Sequence, residues 1–355
     1  MTTALEKRIE AFVRLGNLFK ETTLYLHNKN TTFENTYANI SDAIEKTCIE
    51  NLWFTKPNIA FALQAWIPLL TKDNIIHWIE NYNIDKNEAK QKKVAVIMAG
   101  NIPLVGFHDF LCVLISGHVF IGKLSSHDKY LLPAFAEELC KWNPELKTKI
   151  LFTTEKLPAF EAIIATGSNN SARYFEQYFS DYPHIIRKNR NGIAILDGNE
   201  TDEELKLLGT DICAYFGLGC RNVSKVYVPQ NYDIINVFKG IDPYTQELVN
   251  HSKYMNNYIY NKSIMLVNQT FHYENAVALM QQSSQIASPI SVLFYETYAD
   301  LNELKKYIEE NDEQIQCVAT NIYADKKTVK LGETQFPQLQ NYADGVDTLD
   351  FLNNF

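Results

Sequence analysis

From Lys93 onward the chain alternates short apolar runs with stretches of helical period, and this alternation limits the fold more than any other feature. Val94-Ala95-Val96-Ile97-Met98, Val119-Phe120-Ile121, Ile150-Leu151-Phe152, Ile163-Ile164-Ala165 and Ile193-Ala194-Ile195-Leu196 are brief and rich in β-branched residues. Apolar strands separated by helices predict a parallel, doubly wound sheet with helices on its faces. A second series follows: strands at Val223–Val228, Ile264–Val267, Ile290–Phe294 and Gln316–Ile322, with helices from Thr201, at Tyr273–Gln282 and at Asn302–Glu310. The first 90 residues read as helical, with Leu5, Ile9, Phe12, Val13 and Leu18 forming one stripe. The expected organisation is an α/β chain of two doubly wound lobes with a helical N-terminal region. Its domains run from 1 to 200 (helices plus the first sheet), from 201 to 330 (the second lobe) and from 331 to 355, a tail that packs back or mediates association.

Composition narrows the function classes. The 355 residues are 46% hydrophobic and 21% charged, as in an ordered globular protein. Lys and Arg number 33 against 42 Asp and Glu, a net charge of -9, which argues against a nucleic-acid binder. The basic run Lys86–Lys93 reads as a solvated linker or helix end. The longest apolar stretch, Phe110–Gly122, is too short to span a bilayer and contains His118. No charged-then-apolar leader opens the chain. Six scattered cysteines with no Cys-x-x-Cys pair fit reduced thiols in a cytoplasmic protein and no metal site.

Four segments carry candidate chemistry. Thr201-Asp202-Glu203-Glu204 fits a capping box, and Leu205, Leu208, Ile212 and Tyr215 or Phe216 follow at helical spacing. Gly217 suits the left-handed residue that closes a helix, and Gly219 leaves room for a ligand beside Cys220. A cysteine there is either a nucleophile at an element boundary or a small buried hydrophobe. Gly100-Asn101-Ile102-Pro103 follows the first strand, placing an amide where parallel sheets bind ligands; taken alone it is an ordinary turn. Lys123, Ser125 and Ser126 leave the second strand, where a cation and hydroxyls suit a ribose or phosphate; a lysine leaving the sheet for solvent is the equal alternative. Thr166-Gly167-Ser168 joins a strand to a helix from Ala172 to Phe179, which would aim backbone N–H groups at an anion.

In this order and at these separations the four pieces resemble the aldehyde dehydrogenase superfamily. Gly100–Ser126 is similar to its Asn-x-Pro turn and Lys-Pro-Ser segment, and Thr166-Gly167-Ser168 to its Thr-Gly-Ser turn. Asn191–Pro229 is similar to its Gly-x-x-Cys nucleophile segment, and Ser288-Pro289-Ile290 to its Gly-Pro-Val segment. The likeness runs from about residue 94 to residue 325. Two departures stand out. Ile185–Gly192 contains no carboxylate where oxidising members carry their water-activating Glu, and Ser283-Ser284-Gln285-Ile286 replaces the Glu that holds the nicotinamide ribose. With those departures the chain resembles the acyl-CoA reductase family, to which the fatty acyl reductase of bacterial bioluminescence belongs; Pro337–Leu349 is similar to that family's C-terminal segment. The resemblance implies Cys220 as nucleophile on an acyl-CoA or acyl-carrier thioester, with Arg221 beside it, and the Cys220 backbone N–H and Asn101 as oxyanion donors. It further implies Lys123, Ser125, Ser126, Thr166, Gly167 and Ser168 as cofactor contacts. Ser126 stands where relatives carry a Glu, which favours NADPH over NADH by removing repulsion of a 2′-phosphate. It also implies a homo-oligomer. No proton donor is assigned; His127 and His184 lie near the implicated segments. The aromatic stretch Trp53–Trp78 reads as helical core rather than an acyl tunnel. An acyltransferase using Cys220 without redox chemistry, or a non-enzymatic binding protein on this fold, are the rival readings.

Overall fold

The structure, a computed structural model, describes residues 2–28, 31–84 and 90–355, so Lys86–Ala89 of the basic run lie outside the described residues. The chain forms two compact units, Met1–Lys188 with Gln338–Phe355, and Asn189–Pro337.

The first unit is built on five parallel strands: β1 (Lys93–Ile97), β2 (Val119–Lys123), β3 (Ile150–Thr153), β4 (Ala162–Thr166) and β5 (His184–Arg187). Their order is β3-β2-β1-β4-β5. Val94, Ala95 and Val96 of β1 are fully covered on both faces, as a central parallel strand requires. The helix Phe107–Ile115 buries almost every side chain, and Phe110 meets Phe120 of β2 edge-to-face at 4.9 Å. Against that layer the helix Thr3–Asn28 sets Ile9, Phe12, Leu15 and Phe19, all at most 1% exposed. Trp78 and its neighbours also belong to this core.

The closing segment returns to the first unit through side-chain bonds. Trp78 Nε1 donates to the Tyr342 hydroxyl (2.8 Å), Tyr82 donates to Asp347 (2.6 Å), and His118 Nε2 lies 2.8 Å from the Leu352 carbonyl. Arg187 of β5 reaches Asp109 with two bonds of 2.6 and 2.9 Å and Thr348 with a third of 3.1 Å. The tail therefore packs back as far as Gln338–Phe355 is concerned, whereas 331–337 belong to the second unit.

The second unit holds β6 (Asn191–Ile195), β7 (Val223–Pro229), β8 (Tyr273–Glu274), β9 (Leu279–Gln282), β10 (Val292–Tyr298), β11 (Ile315–Ala319) and β12 (Thr328–Val329). The order is β12-β11-β6-β7-β10-β9-β8, parallel except where β8 pairs antiparallel with β9. Three expectations are corrected. The boundary expected after 200 lies at Lys188, because β6 pairs with β7 and β11 inside the second sheet. Ile264–Val267 ends the helix Ser252–Val267 instead of forming a strand: Tyr254, Tyr258, Asn261 and Met265 are buried at a spacing of three to four, and His251 caps the start. A four-residue apolar run cannot by itself separate strand from helix. Tyr273–Gln282 is a hairpin and not a helix, because the Asn275 side chain accepts from the N–H groups of Val277 (3.0 Å) and Ala278 (2.8 Å) and folds the chain back.

Candidate active site

The capping box forms as expected: Thr201 and Glu204 bond each other reciprocally and start the helix Asp202–Cys213. The helix stops four residues short of Gly217. Tyr215 (φ 52°), Phe216 (φ 59°) and Gly217 (φ 76°) then occupy the left-handed region in succession, a conformation that non-glycine residues rarely adopt. Such strain persists only where surrounding bonds over-determine it, and here Asn222 supplies them. Its Nδ2 donates to the carbonyls of Ala214 (2.8 Å) and Asp211 (3.0 Å), while its Oδ1 accepts from the Gly219 N–H (2.8 Å). Asn222 N–H in turn donates to the Gly219 carbonyl at 3.0 Å. Cys220 sits inside this closed turn, just ahead of β7.

Cys220 is the one exposed cysteine of the six. Burial pushes the thiols of Cys48 and Cys317 up to about 11 and those of Cys112, Cys140 and Cys213 upward as well. A thiol must ionise to act as a nucleophile, so burial disfavours the other five in that role. Asn222 was not anticipated; its signal in the sequence is an amide two residues after the cysteine, at a helix-to-strand turn. Asn222→Ala deletes one acceptor and the donors of a buried residue, and is expected to cost about 2–3 kcal/mol of stability. Denaturant titration checks this, and alkylation of Cys220 in the still-folded variant should show a changed rate because the turn is released.

The remaining candidates gather at the carboxyl ends of β1, β2 and β4 in the first unit. The chain order reverses between β1 and β4, so the loops after these strands flank a crevice of the kind that binds dinucleotides. Asn101 is half-buried in the loop after β1. A Cβ on Gly100 would stand 2.4 Å from Ser125 Oγ, so this loop and the one after β2 are in contact. Gly167 is similarly constrained, a Cβ there falling 2.8 Å from Ser171 Cβ and 2.9 Å from Phe175. Ser168 accepts from the Ser171 N–H at 3.2 Å and caps the helix Asn169–Tyr178, with Thr166 closing β4. Ser125 Oγ accepts from the His127 N–H at 3.2 Å, and Ser126 is exposed. Lys123 is turned toward the loop after β3, where its ammonium donates to the carbonyls of Glu155 (2.6 Å) and Thr154 (3.1 Å). Close loops, a capped helix N-terminus and the strand reversal fit a dinucleotide.

A second residue went unforeseen. Asp128 Oδ2 accepts from the N–H of Leu104 at 2.9 Å, and Leu104 is itself left-handed (φ 58°) in the loop that carries Asn101. The Asp128 residue is half-exposed, but its carboxyl is enclosed, and Oδ1 has no hydrogen-bond partner among the described residues. Desolvation pushes its pKa up to about 7, and burial raises that of Asp211 to about 6. A folded pKa above the unfolded one means that the protonated form fits the fold better. The stability these carboxyls contribute is therefore complete below about pH 4 and is lost as pH rises through 6 to 7. Asp128→Asn is expected to flatten the fall in melting temperature between pH 5 and 8; an unchanged slope would rule Asp128 out as its source.

With the geometry in hand, comparison with known proteins is informative. Residues 78–236, which include Asn101 and Cys220, match the acyl-CoA reductase (LuxC) family. Among solved structures, the fold is similar to aldehyde dehydrogenase 21 from Physcomitrella patens in complex with the reaction product succinate (TM-score 0.62, 11% identity, 98% of this chain and 87% of that one). It is also similar to an indole-3-acetaldehyde dehydrogenase complexed with NAD+ (TM-score 0.60, 10% identity, 92% and 78%). An NADP-dependent enzyme from E. coli gives a TM-score of 0.60 at 12% identity, over 95% of this chain and 85% of that one. No curated protein matches the sequence. These likenesses bear out the resemblance read from the motifs.

Proposed function

We propose that this chain, which matches the acyl-CoA reductase (LuxC) family over 78–236 and is similar in fold to aldehyde dehydrogenases, reduces an acyl thioester to an aldehyde. The observation that carries the reading is that Cys220 alone among the cysteines is exposed, in a turn held rigid by Asn222. The Cys220 thiolate adds to the thioester carbonyl; the new C–S bond forms as the carrier thiolate leaves and takes up a proton. The family resemblance gives the oxyanion to the Cys220 backbone N–H and the Asn101 amide, a role typically worth about 10²–10³ in rate per donor. The nicotinamide, when bound, supplies the hydride that takes the acyl group to the aldehyde level.

Release as a free acid is disfavoured because Ile185–Gly192, the stretch similar to the one that carries the base of oxidising relatives, holds no carboxylate. Within that stretch β5 ends in Arg187, whose side chain is buried against Asp109. NADPH is the proposed donor, because Ser126 is uncharged and the carboxyl of Asp128, two residues on, is turned to Leu104. A homo-oligomer in the cytoplasm completes the proposal; among the described residues no helix is long and apolar enough to cross a membrane.

The test is to mix the protein with acyl-CoA and acyl-carrier thioesters and follow NADPH and NADH absorbance while trapping aldehyde. Aldehyde formed in step with NADPH loss supports the reading. Acyl label retained on Cys220 without nucleotide oxidation would overturn it in favour of acyl transfer.

A further inference from the structure

The loop after β1 carries Asn101 between two points that the loop after β2 fixes. At one end a Cβ on Gly100 would stand 2.4 Å from Ser125 Oγ and 3.1 Å from His127 Cβ, so only a bare backbone fits there. At the other end Leu104 N–H donates to Asp128 Oδ2 at 2.9 Å. The Leu104 carbonyl accepts from the Phe107 N–H, also at 2.9 Å, where the helix Phe107–Ile115 begins. Leu104 is left-handed and 3% exposed. A leucine keeps that conformation only where its surroundings impose it, and the bond to Asp128 is one that does so.

Asp128 is anchored in turn. Its N–H donates to the Ser125 carbonyl at 3.2 Å, within an isolated antiparallel bridge between the two residues. Asn51, buried at the end of the helix Ala38–Glu50, donates from Nδ2 to the His127 carbonyl at 3.1 Å, and Glu50 pairs with Lys129 at 2.8 Å. The helical N-terminal region thus holds the loop after β2, which holds the loop after β1. Asp128 Oδ1 is enclosed and unpaired among the described residues. Such a group is a cost to the fold, and costs of this kind collect at functional sites.

We propose that Asp128 is a positioning residue: by holding Leu104 left-handed it sets the path of residues 100–104, and with it the orientation of the Asn101 amide. The proposal rests on the reading that Asn101 donates to the oxyanion. Asp128 itself is given no contact with thioester or nucleotide and no proton transfer. A donor must meet the oxyanion at hydrogen-bond distance, and a displacement of about 1 Å can cost about 10²-fold in rate.

Three variants test this. Asp128→Ala and Asp128→Leu remove the acceptor, the second at nearly the original volume, whereas Asp128→Asn keeps an oxygen for Leu104. Amide exchange at Leu104, which needs no substrate, should rise about tenfold in the first two and stay near wild type in the third. In the same two variants kcat for aldehyde formation should fall about 10²-fold with KM for the thioester within about twofold, and Asp128→Asn should recover it. Added to Asn101→Ala, Asp128→Leu should slow the reaction no further, since a residue that acts through the amide has no effect once the amide is gone. Wild-type exchange in the folded variants, losses that multiply in the double variant, or an Asp128→Asn as slow as Asp128→Leu each overturn the proposal. Should Asp128→Ala fail to fold, Asp128→Leu decides it. Asn101→Ala reducing thioesters at the wild-type rate would instead overturn the oxyanion reading and the catalytic part of the proposal with it; raised exchange at Leu104 would then still show that Asp128 holds the loop.

Discussion

Cys220→Ala is expected to abolish aldehyde formation, by about 10³-fold or more, while leaving the stability within about 1 kcal/mol of wild type. The size follows from the role: removing the atom that forms the covalent bond costs far more than removing a group that helps it. The small stability effect follows from exposure, since an exposed thiol has little packing to lose. The nucleotide binding proposed for the first unit should persist in the variant, separating loss of chemistry from loss of fold. Retained turnover in Cys220→Ala would mean that another group attacks the thioester, and burial disfavours every other cysteine for it.

Asp109→Ala is expected to be the most destabilising of the substitutions considered. Asp109 and Arg187 are 4% and 6% exposed and joined by two short bonds. Deleting the carboxylate leaves a guanidinium enclosed without its counter-charge, at a cost of about 3–5 kcal/mol. For a unit of this size that is a large share of the total, and a melting point lower by about 10 °C follows. The effect should reach the C-terminal helix, because Arg187 also donates to Thr348, at 3.1 Å. Replacing both partners, Asp109→Leu with Arg187→Met, is expected to recover most of the loss, since apolar pairs of similar volume replace buried ion pairs at little cost. A double variant as unstable as the single one would show that the pair is more than a matched charge.

Much of this was legible beforehand where the determinant is local. The Thr201–Glu204 capping box, the strands β1, β2, β4 and β7 and the left-handed Gly217 all depend on residues within a few positions of one another, and each appears where the pattern predicts it. The misreadings share a cause. Ile264–Val267 and Tyr273–Gln282 are short segments whose apolar content suits either period, and an Asn turn and a sixteen-residue helix decide between them. Similarly, 189–200 follow the first sheet in sequence but join the second, because β6 finds its partners in β7 and β11.

The candidate site divides along the same line. The sequence alone determined that a cysteine stands between a capped helix and a β-branched strand, and that Asn101, Ser125 and Thr166-Gly167-Ser168 follow strands of one parallel sheet. Side-chain order along a chain is enough for that. Only the tertiary structure decided which of six thiols meets solvent, that Asn222 locks the turn from inside, that Asp128 reaches across to Leu104, and that Lys123 faces the carbonyls after β3. Burial and hydrogen-bond partners are properties of what packs from elsewhere in the chain, so no local reading of these residues could supply them.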